Sequence, residues 1–473
     1  VNFPDSLTTI GDGAFSSCKG LTVVKIPDSV ISIGNGAFAY CGNLAKVKIG
    51  NSVTNIGEEA FSNCSSLKSI VIPDSVTAFD TSAFAGCASL TSVTIGNGVE
   101  RIEREAFDGL DNLTSVTVGD GVTHIEEKAF NSCGKLVSLK LGNSVTVIGD
   151  EAFSSCKGLT VVKIPDSVKS IGNWAFAYCE NLAKVKIGNS VTNIGNRAFK
   201  CCNNLTSVNF PDSLTTIGDG AFSSCKGLTV VKIPDSVKSI GNEAFAYCGN
   251  LAKVKIGNSV TNIGEEAFKE CVAMTSVTIG NGVKIIGKEA FASCHELTNV
   301  TIPDNVERIE EGAFGHCDAM TSVTIGNGVK IIGKSAFRFC QKLTNVTIPD
   351  NVERIEECAF NWCDAMTSVT IGNGVTRIGN MAFGYCNNLT SVKFGKSVSI
   401  IGEEAFYDCK NLESVMLPDS VESIGTKAFY DCSALRHVRI SEHVTGIGKD
   451  AFCGCSNLKD VKAPKRFLPL KTN

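Results

Sequence analysis

The chain has 473 residues, 43% of them hydrophobic and 19% charged, with Lys+Arg 44 against Asp+Glu 48 for a net charge of −4. That much apolar surface supports independent folding, while the lack of any basic excess excludes a dedicated nucleic-acid binder, which needs a concentrated cationic face. No apolar run of about 18 residues occurs, so no transmembrane helix is expected, and any targeting segment ahead of Val1 lies outside this sequence.

Length alone suggests about three domains, but one periodicity replaces that estimate. Phenylalanine recurs every 23 residues from Phe15 to Phe452, always preceded by Ala, giving 20 repeats that account for 460 of the 473 residues. A period of this size is the mark of a stacked-repeat architecture.

In chain order, the sequence opens in mid-strand at residues 1–4 and then cycles through the same elements. In residues 251–271, Leu251, Val254 and Ile256 are apolar, while Lys253 and Lys255 alternate with them. That period of two predicts a strand with one buried face. Twelve residues past each ladder Phe stands Gly ten times, Pro nine times and Ser441 once, so the chain turns there. Val260 and Ile263 then predict a second, shorter strand. Ala267 and Phe268, with Cys271 three residues on, predict a single 3₁₀ or α turn.

Glycine stands four residues before Phe in 15 repeats. Asp80, Glu103, Glu126, Glu310 and Glu356 replace it elsewhere, so a left-handed backbone is not required at that position. Residues 463–473 leave the repeat, and Pro464 and Pro469 are predicted to blunt the last strand edge. The opening strand carries no such cap. Whole repeats have been copied, since residues 1–15 recur verbatim at 208–222.

Cysteine follows the ladder Phe by three residues in 19 repeats, with Leu110 in the remaining one; Cys201, Cys358 and Cys453 lie off the ladder. No C-x-x-C pair supports a metal or redox site. Stacked in register, these side chains all point the same way, and Leu110 marks an apolar slot, so the thiols read as small buried hydrophobes. Disulfides between neighbouring coils remain the alternative.

Catalysis needs convergent polar groups, which a translational repeat disperses. The five histidines are scattered, the Glu-rich run at residues 100–107 reads as a solvated edge, and the GNGV segments lack the Lys-Ser/Thr of a phosphate loop. No cofactor motif occurs, and no enzyme is expected.

Two surfaces invite a partner. Outward strand positions carry Lys46 and Lys48, Lys184 and Lys186, Lys253 and Lys255, with single lysines at Lys25, Lys140, Lys163 and Lys232. From Ser276 to Thr370 the same positions carry Ser, Asn and Thr. The face is thus basic first and neutral later, suited to an acidic partner, though solubility also explains exposed lysines. Two residues past the ladder Phe, Phe339, Trp362 and Tyr385 occupy consecutive repeats and should stack on one lateral side, as a contact strip or as cover for the turns.

The unit LxxVxIPxSVxxIGxxAFxxC, in phase from Phe3 to about Pro464, closely resembles the BspA-like leucine-rich repeat. The resemblance implies a β-rich, right-handed leucine-rich repeat solenoid of 20 stacked 23-residue coils. Each coil would contribute a strand to a parallel sheet on the concave face, a short second strand and a helical turn. One domain over residues 1–464 and a tail or cap at 465–473 are expected.

Family members resemble surface adhesins of bacteria and protists that bind host matrix or cell-surface proteins. The resemblance therefore implies a non-enzymatic recognition protein, at the cell surface or outside the cell, with the cytoplasm left open. The alternative is end-to-end self-association through the uncapped N-terminal end. It brings no catalytic residues, and fold transfers better than function.

Overall fold

The computed structural model describes residues 1–468 and 470, so Pro469, named above as an edge blocker, lies outside the described residues. The chain forms two compact units, Val1–Leu228 and Thr229–Asn473. Each is a parallel β-solenoid in which a coil contributes one strand of three or four residues and one of two.

In the first unit the longer strands pair in register with residues 23 positions away, as in Ser115 with Ser92 and Ser138, and so do the short ones, as in Thr9 with Ser32. In the second unit Lys253 pairs with Ser276 and Asn262 with Ile285 in the same way. A one-residue slip would turn every buried side chain to solvent, so the alternating pattern fixes this register.

The core is a set of ladders. From Phe38 to Phe452 each ladder Phe is at most 2% exposed, with neighbouring rings nearly parallel, for example 5.2 Å apart at 3° for Phe268 and Phe291. Phe15 is half-buried, because it has Phe38 on one side and only the edge of Phe3 on the other. In the fourth repeat Phe79 replaces the usual second-strand Ile and packs against Phe84 and Phe107; the ladder spacing opens to 5.8 Å there.

All 22 cysteines are free thiols. Their sulfurs do more than fill space: ladder thiols donate to the carbonyl of the preceding coil's Phe, as from Cys64 to Phe38 at 3.2 Å and from Cys386 to Phe360 at 3.3 Å. Leu110 leaves the Phe84 carbonyl without that donor. Burial pushes the Cys179 and Cys340 thiols up to about 12, so these two are poor nucleophiles.

The turn carrying Ala-Phe is not helical, contrary to its i, i+3 spacing; among the described residues the one helical element is a 3₁₀ turn at Lys465–Phe467. Within one coil the amides of Ala267, Lys269 and Cys271 donate back three residues. Those of Glu266, Phe268 and Glu270 donate instead to Lys288, Ala290 and Ala292 of the next coil. The alternation is possible because Glu266 and Glu270 adopt φ of 55° and 58°. A helix would direct every amide along its own axis, whereas this backbone forms a third inter-coil ladder.

Every left-handed residue among those described lies two before or two after a ladder Phe, and 32 of them are not glycine. None is Val, Ile or Thr, whose branched Cβ tolerates that region worst.

The glycine four residues before Phe is not left-handed, as the acids at that position suggested. Its role is close approach, since a Cβ on Gly264 would meet the Gly241 carbonyl carbon at 2.6 Å. After the last repeat, Arg466 donates to the carbonyls of Val444 and Glu442 at 2.6 and 2.9 Å.

Candidate binding surfaces

Three ladders and the Phe stack lock the interior, which leaves the outward strand positions free to vary. All six lysines expected on this face, Lys46, Lys48, Lys184, Lys186, Lys253 and Lys255, project outward as exposed flanks of a buried Val. They do not form a continuous basic row. Strands bearing Ser69 and Val71, Ser92 and Thr94, and Ser115 and Thr117 intervene in the first unit.

Each lysine group is a two-strand cluster. Lys25 stands opposite Lys48 and Val23 opposite Lys46. Lys163 faces Lys186 and Val161 faces Lys184; in the second unit Lys232 faces Lys255 and Val230 faces Lys253. Like charges directly opposite one another on a sheet are destabilising. No carboxylate among the described residues forms an ion pair with any of these nine lysines. Asp28, Asp166 and Asp235, in the turns that follow Lys25, Lys163 and Lys232, accept the backbone amides of Asn51, Asn189 and Asn258 at 2.8, 2.9 and 2.7 Å.

The aromatic strip lies in the second unit and is longer than its sequence pattern. Phe339, Trp362 and Tyr385 do stack, at 6.1 and then 4.3 Å. His316 extends the column at one end, 4.6 Å from Phe339, and Tyr407 and Tyr430 extend it at the other. Tyr407 and Tyr430 stand one residue after their ladder Phe, which is why a search at two residues misses them.

Because the rings cover one another, their faces are largely used up and mainly edges meet solvent; Trp362 is the most open of the three expected residues, at 38%. Burial, followed by the neighbouring Tyr385, holds the Tyr407 hydroxyl above its ordinary range. The first unit has a smaller aromatic site that the sequence did not suggest: Trp174 stacks with Tyr178 at 6.0 Å beneath the Arg197 guanidinium, 4.9 Å from the ring centre.

Charged edges elsewhere pair across coils. Arg104 reaches Glu127 at 3.2 Å and Arg101 pairs with Glu126, as a solvated edge would; such exposed pairs contribute little, about 0–1 kcal/mol. His295 lies 2.8 Å from Asp318 and His437 lies 3.4 Å from Asp460. Neither imidazole has a hydroxyl or thiol within hydrogen-bond reach among the described residues. No helix among those residues is long and apolar enough to cross a membrane.

Comparison with known proteins agrees with this anatomy. A family model described as the BspA type leucine rich repeat region (6 copies) matches residues 1–114, 79–200, 146–274, 261–389 and 354–473. The chain is similar to a leucine-rich repeat protein from Bacteroides ovatus, at 28% identity over 86% of this chain and 89% of that one, with a TM-score of 0.55. It is also similar to a leucine rich cell surface protein from Faecalibacterium prausnitzii, at 25% identity over 86% and 90% of the two chains, with a TM-score of 0.36. No curated protein matches it.

Proposed function

Because the chain belongs to the BspA type leucine-rich repeat family, we propose that it is a non-enzymatic recognition protein. It acts at the cell surface or outside the cell and binds a protein partner of the host matrix or a neighbouring cell through the outward face of its longer strands. One observation carries the reading. Cations are held opposite cations on the sheet with no carboxylate among the described residues in ion-pair contact, an arrangement that weakens the free molecule and is relieved by an acidic partner. The strip centred on Trp362 offers a second, apolar contact through its ring edges.

The test is binding to a panel of immobilised extracellular-matrix proteins. Replacing Lys184, Lys186, Lys253 and Lys255 by Ser should weaken capture at least tenfold and flatten its dependence on salt. Unchanged binding and an unchanged salt slope would refute the lysine face as the contact surface.

A further inference from the structure

Three stretches of 37 residues, 21–57, 159–195 and 228–264, agree at 34 positions. They differ only where Ile31, Lys169 and Lys238 stand, at Gly36, Trp174 and Glu243, and at Gly42, Glu180 and Gly249. Each copy builds the same surface: an outward Val and Lys on one strand, and two lysines in register on the next. The three outward valines, Val23, Val161 and Val230, are 53%, 56% and 51% exposed. Two of these surfaces lie in the first unit, six coils apart, and the third, from Val230 to Lys255, lies in the second unit.

We infer that the protein carries three equivalent docking patches, each taking an extended acidic segment of a polypeptide with an apolar side chain beside its carboxylates. This rests on the recognition reading above and adds the class of ligand and the number of sites.

The spacing supports a peptide. Lys46 and Lys48 are two residues apart on one strand, so their side chains leave it about 6.7 Å apart, the interval at which an extended peptide places alternate side chains. Lys25 and Lys48 stand on strands about 4.8 Å apart, close enough for one carboxylate to reach both. Val23, beside Lys46, needs an apolar cover that a polyanionic glycan lacks. Lysine heads are flexible point charges with no forked geometry to satisfy, which suits carboxylates arriving along a strand.

The test counts sites. A dodecapeptide of Glu-Ser-Glu-Val repeats with blocked ends is titrated calorimetrically into the whole chain at low salt, beside the same peptide with Gln for Glu and beside a heparin oligosaccharide. Three peptides should bind per chain. Changing Lys25, Lys46 and Lys48 to Ser should leave two, changing Lys163, Lys184 and Lys186 as well should leave one, and adding Lys232, Lys253 and Lys255 should leave none. The Gln peptide should not bind.

A control that removes the same charge from exposed turns, at Lys19, Lys226 and Lys342, should still bind three. Thermal unfolding should show every variant folded, with the midpoint unchanged or raised because facing like charges are gone. A stoichiometry other than three, a count that does not fall stepwise, or an equal loss in the control overturns the proposal. Stepwise loss of heparin with no peptide binding overturns it in favour of a glycan. Capture of a matrix protein that survives all nine substitutions shows that recognition lies elsewhere and also ends this assignment, whereas three peptide sites without matrix capture would count against the proposed function alone.

Discussion

Replacing Phe268 by Ala tests whether the coils act as a one-dimensional stack. Phe268 is fully buried between Phe245 and Phe291, at 5.3 and 5.2 Å with interplanar angles of 2° and 3°. Losing the ring forfeits about 3 kcal/mol of apolar burial and two stacking contacts of about 0.5–1.5 kcal/mol each. Partial collapse recovers some of this, so a net loss of about 4 kcal/mol is expected.

The inter-coil hydrogen bonds flanking the gap, from Phe268 to Ala290 and from Glu270 to Ala292, should open with it. Hydrogen exchange read by mass spectrometry should therefore show lost protection over residues 240–295 and none in peptides around Phe61 or Phe429, because coils contact only their neighbours. A uniform loss of protection along the chain would refute the stack and require one cooperative core.

All 22 cysteines should react with an alkylating reagent in denaturant without reductant, while the native chain should label only at half-exposed Cys18, Cys201, Cys358 and Cys453; recovery of fewer than half the thiols would establish disulfides. Burial raises the Cys179 and Cys386 thiols in the folded state from 9.0 to about 12, so the folded chain holds protons there that the unfolded chain releases. Stability should therefore be intact below pH 9.0 and fall between there and about 12, by about 1.4 kcal/mol per pH unit for each such thiol; a flat profile in circular dichroism would contradict the buried ladder.

Ser335 has φ of 54°. Gly there should be neutral or stabilising by up to about 1 kcal/mol, and Val should cost at least that much in thermal unfolding, because a branched side chain disfavours the left-handed region. Replacing Trp362 and Tyr385 by Ser should weaken an apolar partner by about 2 kcal/mol or more with little salt effect; no change in matrix capture would remove the strip from the contact surface.

Much of the fold could be read from spacing alone. An interval of 23 between identical apolar patterns gives the register in which Val254 meets Val277 and Phe268 meets Phe291, and a one-residue slip would bury a lysine. The turn departs from its expected helical form: Ala267, Phe268 and Cys271 have the spacing of a helical face, and apolar spacing does not distinguish a helix from alternating left- and right-handed residues. A second signal was present. The columns two before and two after Phe accept Glu, Trp, Tyr, Cys and Gly but never a β-branched residue, an exclusion that steric rules attach to positive φ and not to a helix.

The site was legible only in part, and for a related reason. Outward positions follow from the period of two, so the six lysines were placed correctly. Which side chains become neighbours depends on stacking between coils, and Tyr407 joins Tyr385 although the two hold different slots in their repeats. The lysine groups show the same effect. Read along the chain, Lys25 is a lone cation after Val23 and Val24; read across it, Lys25 faces Lys48 and completes a triad. In a solenoid the chemical unit is the pair of adjacent strands, so a motif search must compare each residue with the one 23 positions away. Copying such a pair preserves core and surface together, since each coil carries its own share of both. A duplication of two or more coils therefore multiplies a binding patch without disturbing the ladders, whereas a copy of the Lys25 coil alone carries no Lys48 partner and builds no new patch.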